Sequence, residues 1–207
     1  KTTSLELKAD HSALIMKQIW DFSQTVDIDD VKEILDRQIA CNMAIANEGI
    51  HNSYGANIGH VILNMDSDCV KTRAKAYAAA GSDARMNGCE LPVVINSGSG
   101  NQGITCCVPV VVYAKELDCT QEQLYRALVL SNLTAIYIKT GIGTLSAFCG
   151  AVSAGAAAGA GIAYLHNGTY KEIQHTIVNA LAILSGTICD GAKASCAAKI
   201  ASSVDAG

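Results

Sequence analysis

The sequence has few charged and few aromatic residues. Charged residues make up 16% of the 207 positions and aromatic residues 5%. With a net charge of -4 and no cluster of Lys and Arg, the chain lacks the basic surface that nucleic-acid binding requires. A core with few rings must be built from Ala, Gly, Ile, Leu and Val, which favours helices in close contact. The composition therefore predicts one domain with an all-α fold, a compact helical bundle.

The sequence also lacks a leading Met and a signal peptide, and residues 202–207 break off without a stop signal. We therefore expect a piece of a longer, cytoplasmic protein. Residues 1–26 are predicted to be a residual linker or the edge of a missing upstream domain. Residues 27–207 are predicted to be the helical domain.

A run of 21 uncharged residues covers positions 145–165, which by length alone could span a bilayer. Most of these residues are Ala, Gly or Ser, so their transfer into lipid is only weakly favourable. Small residues recur at Gly150, Ala154 and Ala158, a spacing that lets another backbone approach closely. We predict that residues 143–165 form a buried central helix of the bundle and make no membrane contact.

A glycine-rich polar loop is predicted over residues 96–103, between two apolar runs. Glycine lets a ligand approach the backbone, and Ser and Asn supply short donors and acceptors beside it. We expect this loop to line the main pocket and to bind a small polar ligand. The substrate-binding candidates in it are Ser97, Gly98, Ser99, Gly100 and Asn101.

The same loop matches the dinucleotide pattern G-x-G-x-x-G at Gly98, Gly100 and Gly103. A dinucleotide fold also needs a preceding strand, an uninterrupted helix and an acidic residue about 20 positions later. Position 123 is Gln within a predicted helix, and Pro109 interrupts the segment after the loop. This interpretation is therefore the weaker one.

Helices are predicted on both sides of a second polar loop, which covers residues 49–60 and contains His60. One helix begins after Asp27 and another covers residues 66–86, with Asp83 and Arg85 near its end. Further helices are expected over 104–114, with Pro109 in the first turns, and after the caps at Thr120 and Thr169.

The nine cysteines are an odd number in a chain without secretory features, so a disulfide framework is not expected. Cys189 follows a helix end, and Cys196 comes seven residues later. Cys149 lies where an antiparallel helix hairpin would bring it close to Cys189. Three thiolates select zinc, Cu(I) or an iron–sulfur cluster, and a [4Fe-4S] cluster with three protein ligands leaves one iron free for substrate.

Three runs of the sequence, 82–105, 126–151 and 185–207, resemble the iron–sulfur L-cysteine desulfidase family. This family is related to the alpha chain of bacterial iron–sulfur L-serine dehydratase. The resemblance implies β-elimination of L-cysteine to pyruvate, sulfide and ammonia with a [4Fe-4S] cluster in place of pyridoxal phosphate. It also implies that residues 27–207 are a catalytic, serine dehydratase alpha-like domain.

The resemblance places two cluster ligands at Cys149 and Cys189 and a third in an N-terminal region that this chain lacks. In the serine dehydratases a third cysteine follows the second, which makes Cys196 a further candidate. We therefore expect a [4Fe-4S] cluster in the full-length protein and none in this chain, which by itself should be inactive. The missing N-terminal domain is the expected partner, and a homodimer stays open.

By the same resemblance, the glycine-rich loop holds the carboxylate of an amino-acid substrate, and Asp83 or Arg85 closes the pocket. His60 and Lys193 are the candidates for the catalytic base. L-serine stays open as the substrate. A non-enzymatic metal-binding or dinucleotide-binding module stays open as another class of function.

Overall fold

The computed structural model describes residues 14–143 and 146–207. Every regular element in these ranges is a helix, which confirms the predicted all-α class. The nine helices of the described residues are α1 (Met16–Thr25), α2 (Ile28–His51), α3 (Ile58–Met65), α4 (Val70–Met86), α5 (Gly100–Glu116), α6 (Gln121–Ile142), α7 (Gly150–Leu165), α8 (Tyr170–Ile183) and α9 (Cys196–Ala206).

Local capping signals set several of the helix starts. Asp27 accepts a hydrogen bond from the backbone N–H of Asp29 at the start of α2. Thr120 and Thr169 each form a complete capping box, with Gln123 and Glu172 respectively, at the starts of α6 and α8. These three helix starts confirm the predicted caps.

Helix α7 lies at the centre of the bundle, in contact with α5, α6, α8 and α9. Its residues from Ala151 to Gly161 are buried. A Cβ atom at Gly155 would overlap the backbone of Ser203, so glycine is what lets α9 pack this closely. The predicted central helix is confirmed, although it begins at Gly150 and not at residue 143. Among the described residues, no helix is both long and apolar enough to cross a membrane.

The segment 1–26, predicted to be a residual linker or the edge of an upstream domain, contains a regular helix in its second half. Met16–Thr25 form α1, which packs against α6 and buries Ile19 with Leu130. Arg126 ties the end of α1 to α6 by donating to the carbonyl oxygen of Ser23 over 3.0 Å. Residues 1–13 lie outside the described part of the chain.

Three predicted boundaries also change. The helix predicted over residues 66–86 begins at Val70. The polar loop shortens to residues 52–57, because α2 continues to His51 and α3 begins at Ile58. The glycine-rich loop ends at Ser99, because the backbone from Gly100 onwards is already helical. Pro109 therefore lies in the middle of α5 and not in its first turns.

Candidate active site

The N-terminal ends of α5, α7 and α9 meet around a cavity of about 320 Å³. The glycine-rich turn forms one wall of this cavity, and three of the nine cysteines form another. The lining residues are Ser97, Gly98, Ser99, Asn101, Gln102, Lys139, Ser146, Phe148, Cys149, Gly150, Ala151, Cys189, Gly191, Ala192, Cys196 and Ile200. Ser97, Gly98, Ser99 and Asn101 of the predicted loop therefore line one cavity together with Cys149 and Cys189, whereas Gly100 does not belong to the lining.

Residues 96–99 form a tight reverse turn. The N–H of Asn96 donates to the carbonyl oxygen of Ser99 over 3.1 Å, and the N–H of Ser99 donates back over 3.0 Å. The central residues have φ angles of 49° at Ser97 and 78° at Gly98, and two positive values are the signature of a type I′ turn. The Oγ of Ser99 then caps α5 by accepting the N–H of Gln102.

Buried amide side chains hold this turn in place. Asn42 is fully buried and accepts the N–H of Val94 over 2.9 Å. Its Nδ2 donates to the carbonyl oxygens of Val94 and Gly103, at 3.1 and 3.0 Å. Asn96 donates from Nδ2 to Oδ1 of Asn132 over 3.0 Å. Helices α2 and α6 therefore fix the position of the turn and of the start of α5.

Two cysteines come together because the segments before α7 and after α8 pair with each other. The N–H of Cys149 donates to the carbonyl oxygen of Thr187 over 3.2 Å, and that of Cys189 donates to Ala147 over 2.7 Å. Cys149 is buried and Cys189 is exposed. The α7–α8 hairpin thus brings both cysteines to the cavity, as the sequence predicted.

The charges near these thiols are arranged around Asp190. Its carboxylate pairs with Lys199 and, at 3.1 Å, with Lys193, and these two lysines lower the pKa of Asp190 to about 2. The pKa of the Cys149 thiol is raised above its ordinary value, because the effect of burial exceeds the opposing effect of the hydrogen bond with the backbone of Ala151. The described residues that line the cavity include one cation, Lys139, and no carboxylate.

The donor set at the cavity suits an iron–sulfur cluster better than a single ion. No three His, Cys, Asp or Glu side chains of the described residues are placed to hold one metal ion. Three thiols nevertheless line one cavity without a competing carboxylate or imidazole, and soft thiolate donors select iron–sulfur clusters. Cys149, Cys189 and Cys196 therefore suit a cluster, because its ligands bind different iron atoms and need not converge on one ion.

Two predicted site residues, His60 and Asp83, do not line this cavity. Asp83 is 1% exposed and accepts the N–H of Ile58 over 2.7 Å, so it caps the start of α3. His60 lies on the same helix, and its Nε2 is buried without a hydrogen-bond partner among the described residues. The structure therefore does not bring Asp83, predicted to close the pocket, or His60, a candidate for the base, to the cavity.

Arg85 and Lys193 lie behind or beside the cavity and not in its lining. Nη1 of Arg85 donates to Oδ1 of Asn101 over 3.2 Å, and its guanidinium occupies the space that a side chain at Gly100 would need. Arg85 therefore supports the cavity wall from behind. Lys193 is exposed and pairs with Asp190, which places its amine outside the lining.

Three further residues line the cavity, and the sequence analysis assigns no separate role to them: Gln102, Lys139 and Ser146. Gln102 lies in the glycine-rich motif, so the motif itself was a signal for it. Lys139 comes from the last turn of α6, and Ser146 lies between α6 and α7. No local pattern marks either residue, because only the packing of α6 against α7 brings them to the cavity.

A family model for the serine dehydratase alpha chain matches residues 3–207. The chain is 62% identical over 198 residues to a UPF0597 protein of Desulfitobacterium hafniense, which covers 96% of the chain and 46% of the relative. It is 60% identical to a UPF0597 protein of Lachnoclostridium phytofermentans and 54% identical to one of Finegoldia magna. Each covers 95% of the chain and 47% of the relative.

The chain spans about half the length of these curated relatives. No solved structure matches it significantly. The family model covers nearly every residue, including both walls of the cavity. The chain therefore belongs to the serine dehydratase alpha chain family.

Proposed function

We propose that the cavity is the active site of a β-elimination lyase that converts L-cysteine to pyruvate, sulfide and ammonia. The observation that carries the proposal is the meeting of three cysteines and the glycine-rich turn at one cavity. Membership of the serine dehydratase alpha chain family, which is usually associated with iron–sulfur cofactors, supports it.

Cys149, Cys189 and Cys196 are the proposed ligands of a [4Fe-4S] cluster. When bound, the cluster would supply a Lewis-acidic iron that carries no protein ligand. Cys196 lines the same cavity as the other two cysteines, which favours a ligand set within this domain over a third ligand from an upstream region. The spacing of the cysteines in the sequence does not by itself decide whether Cys196 belongs to this ligand set.

The ends of α5 and α7 are the proposed binding site for the substrate carboxylate. The first backbone N–H groups of a helix have no partner within the helix, and the helix dipole adds partial positive charge. Asn101 and Gln102 bring the first turn of α5 to the cavity, while Gly150 and Ala151 bring that of α7. Lys139 adds a positive charge to the same lining.

The side chains of Ser97, Ser99 and Asn101 are already hydrogen-bonded, so these residues contribute mainly their backbone to the proposed site. Ser97 donates its hydroxyl proton to Oδ1 of Asn96 over 2.8 Å, and Ser99 caps α5. The Asn101 amide is engaged by Arg85 and Met86. In the proposed site, these residues hold the start of α5 in position and exclude water from one side of the substrate.

An anaerobic assay of the full-length protein tests the proposal. The protein is reconstituted with iron and sulfide and given L-cysteine or L-serine, and pyruvate, sulfide and ammonia are measured. We expect pyruvate and sulfide in equal amounts from L-cysteine. A protein that assembles the cluster yet forms no pyruvate from either amino acid would overturn the lyase proposal.

L-serine dehydration is the second candidate, and the description of the matching family model favours it. The same assay separates the two, because L-serine gives pyruvate and ammonia without sulfide. A metal-binding module without activity would assemble the cluster and give neither product. The dinucleotide interpretation is wrong, since Gly98 lies in a turn, Gly100 and Gly103 lie in a helix, and no strand precedes them among the described residues.

A further inference from the structure

The side chain of Gln102 is an unsatisfied polar group in the wall of the cavity. The residue is 7% exposed and belongs to the cavity lining. Its Oε1 atom is buried without a hydrogen-bond partner among the described residues. A buried carbonyl oxygen without a donor is uncommon in folded proteins, and a bound ligand is one way to satisfy it.

The carboxamide of Gln102 lies against the start of α7. A Cβ atom built at Gly150 would be 2.6 Å from Nε2 and 2.9 Å from Oε1 of Gln102. Glycine at this position therefore leaves the space that the amide occupies. The amide consequently lies next to the residue that follows Cys149, between the proposed cluster ligand and the start of α5.

The other polar side chains from this part of the lining already have partners. Ser99 Oγ accepts the N–H of Gln102, and Asn101 Oδ1 accepts from Arg85. Ser146 Oγ accepts the N–H of Phe148 over 3.0 Å. Since the described lining also contains no carboxylate, Gln102 Oε1 is the buried acceptor left for a positively charged donor.

We propose that Gln102 binds the α-ammonium group of the substrate and so restricts the site to α-amino acids. The inference rests on the proposed lyase function, because it uses the same cavity and the same substrate class. The helix ends and Lys139 attract the carboxylate, and Gln102 Oε1 accepts a hydrogen bond from the ammonium. A carboxylic acid without an amino group leaves this oxygen without a donor.

Two ligands that cannot undergo β-elimination test the proposal, L-alanine and propionate, which differ by the amino group. The dissociation constants of both ligands for the full-length protein are measured by ligand-observed NMR titration. We expect L-alanine to bind more tightly than propionate. A hydrogen bond to a charged group is strong enough for Gln102→Met to remove about tenfold to a hundredfold of this preference.

Gln102→Glu keeps an acceptor at the same place and should retain the preference for L-alanine. If Gln102 had only a structural role, this preference would not depend on an acceptor at position 102. Gln174→Met is the matched control, since Gln174 is exposed on α8. If Gln102→Met does not fold, Gly150→Ala displaces the amide instead. Its control is Gly141→Ala, where a Cβ atom meets open space.

Equal affinity of the native chain for the two ligands would overturn the proposal. A folded Gln102→Met protein that keeps the full preference for L-alanine would also overturn it. The lyase proposal fails on a different result, the absence of pyruvate from L-cysteine and L-serine. Because neither NMR ligand is turned over, the two failures can be distinguished.

Discussion

Two short polar loops of this chain, residues 52–57 and 96–99, have similar compositions and different surroundings. Both contain Gly, Ser and Asn, and both place a non-glycine residue at positive φ, Asn57 at 51° and Ser97 at 49°. Only the second lies at the cavity with the three cysteines. The composition of a polar loop therefore does not distinguish a helix connection from a binding site.

The first loop uses its polar groups to connect two helices. Oδ1 of Asn57 accepts the N–H of Tyr54 over 2.9 Å, and the Tyr54 hydroxyl donates to Glu48 over 2.9 Å. Asp83 of α4 holds the end of the loop through the N–H of Ile58. The Asp83 bond fixes α3 against α4, and the other two bonds hold the loop together and attach it to Glu48 of α2.

The second loop is held from behind and leaves its front face to the cavity. Asn42 of α2 binds the backbone of Val94 and Gly103 on either side of the loop, and Asn132 of α6 accepts a hydrogen bond from the Asn96 side chain. The start of α5 then faces the cysteine wall, and Oε1 of Gln102 is left without a partner among the described residues. The second loop is therefore supported from one side and borders the cavity on the other.

The largest expected effect comes from an exposed cysteine at the cavity. Cys189→Ser should abolish the visible charge-transfer absorbance of the reconstituted protein and its lyase activity, because a hydroxyl replaces a soft thiolate ligand. Cys69→Ser is the control, since Cys69 is also exposed but lies at the start of α4. Absorbance and pyruvate release are measured after anaerobic reconstitution. Loss of both signals in Cys69→Ser would contradict the assignment of the cluster to the cavity beside the second loop.

The support of the second loop is tested at Asn42. Asn42→Ala should lower the free energy of unfolding by about 3 kcal/mol, because it leaves buried backbone groups of Val94 and Gly103 without partners. Asn47→Ala on the exposed side of the same helix should change it by less than about 0.5 kcal/mol. Urea denaturation followed by circular dichroism measures both. Equal effects of the two substitutions would contradict the role given to Asn42.

The first loop should show its structural role in the pH dependence of stability. Burial raises the pKa of Asp83 above its ordinary 3.8, despite hydrogen bonds from the backbone of Ile58 and Ala56. The folded state then holds this proton to a higher pH than the unfolded state, so the contribution of Asp83 to the unfolding free energy falls as the pH rises above about 4.

Asp83→Asn cannot ionise, so its unfolding free energy should fall less over the same pH range. Urea titrations of the native chain and the variant at several pH values give this difference. The affinity of the cavity for L-alanine, measured at one pH, should be unchanged because Asp83 does not line it. Parallel pH profiles for the two proteins would show that Asp83 titrates normally in the folded state.

The sequence predicted those parts of the fold that depend on local signals. The capping boxes at Thr120 and Thr169 and the small-residue helix α7 follow from residues close together in the chain. The approach of Cys149 and Cys189 followed from hairpin topology. Both are properties that a single stretch or a pair of neighbouring helices determines.

The remainder depends on contacts between distant residues. The start of α5 at Gly100 depends on the local cap by Ser99 and also on distant residues, since Asn42 binds the carbonyl oxygen of Gly103 and Arg85 fills the space beside Gly100. The same holds for Lys139, which reaches the cavity only through the packing of α6 and α7. His60 has the right chemistry for a base, but its helix packs mainly on α4, and His60 does not line the cavity.

Cys196 gives the most direct test of the claim that one domain supplies all the cluster ligands. The full-length protein and its Cys196→Ala variant are reconstituted anaerobically with iron and sulfide, and their iron content and visible absorbance are compared. We predict that the variant loses the absorbance of the cluster and keeps the helical circular dichroism of the native chain. A variant that retains the native iron content and absorbance would contradict the claim and move the third ligand outside this domain.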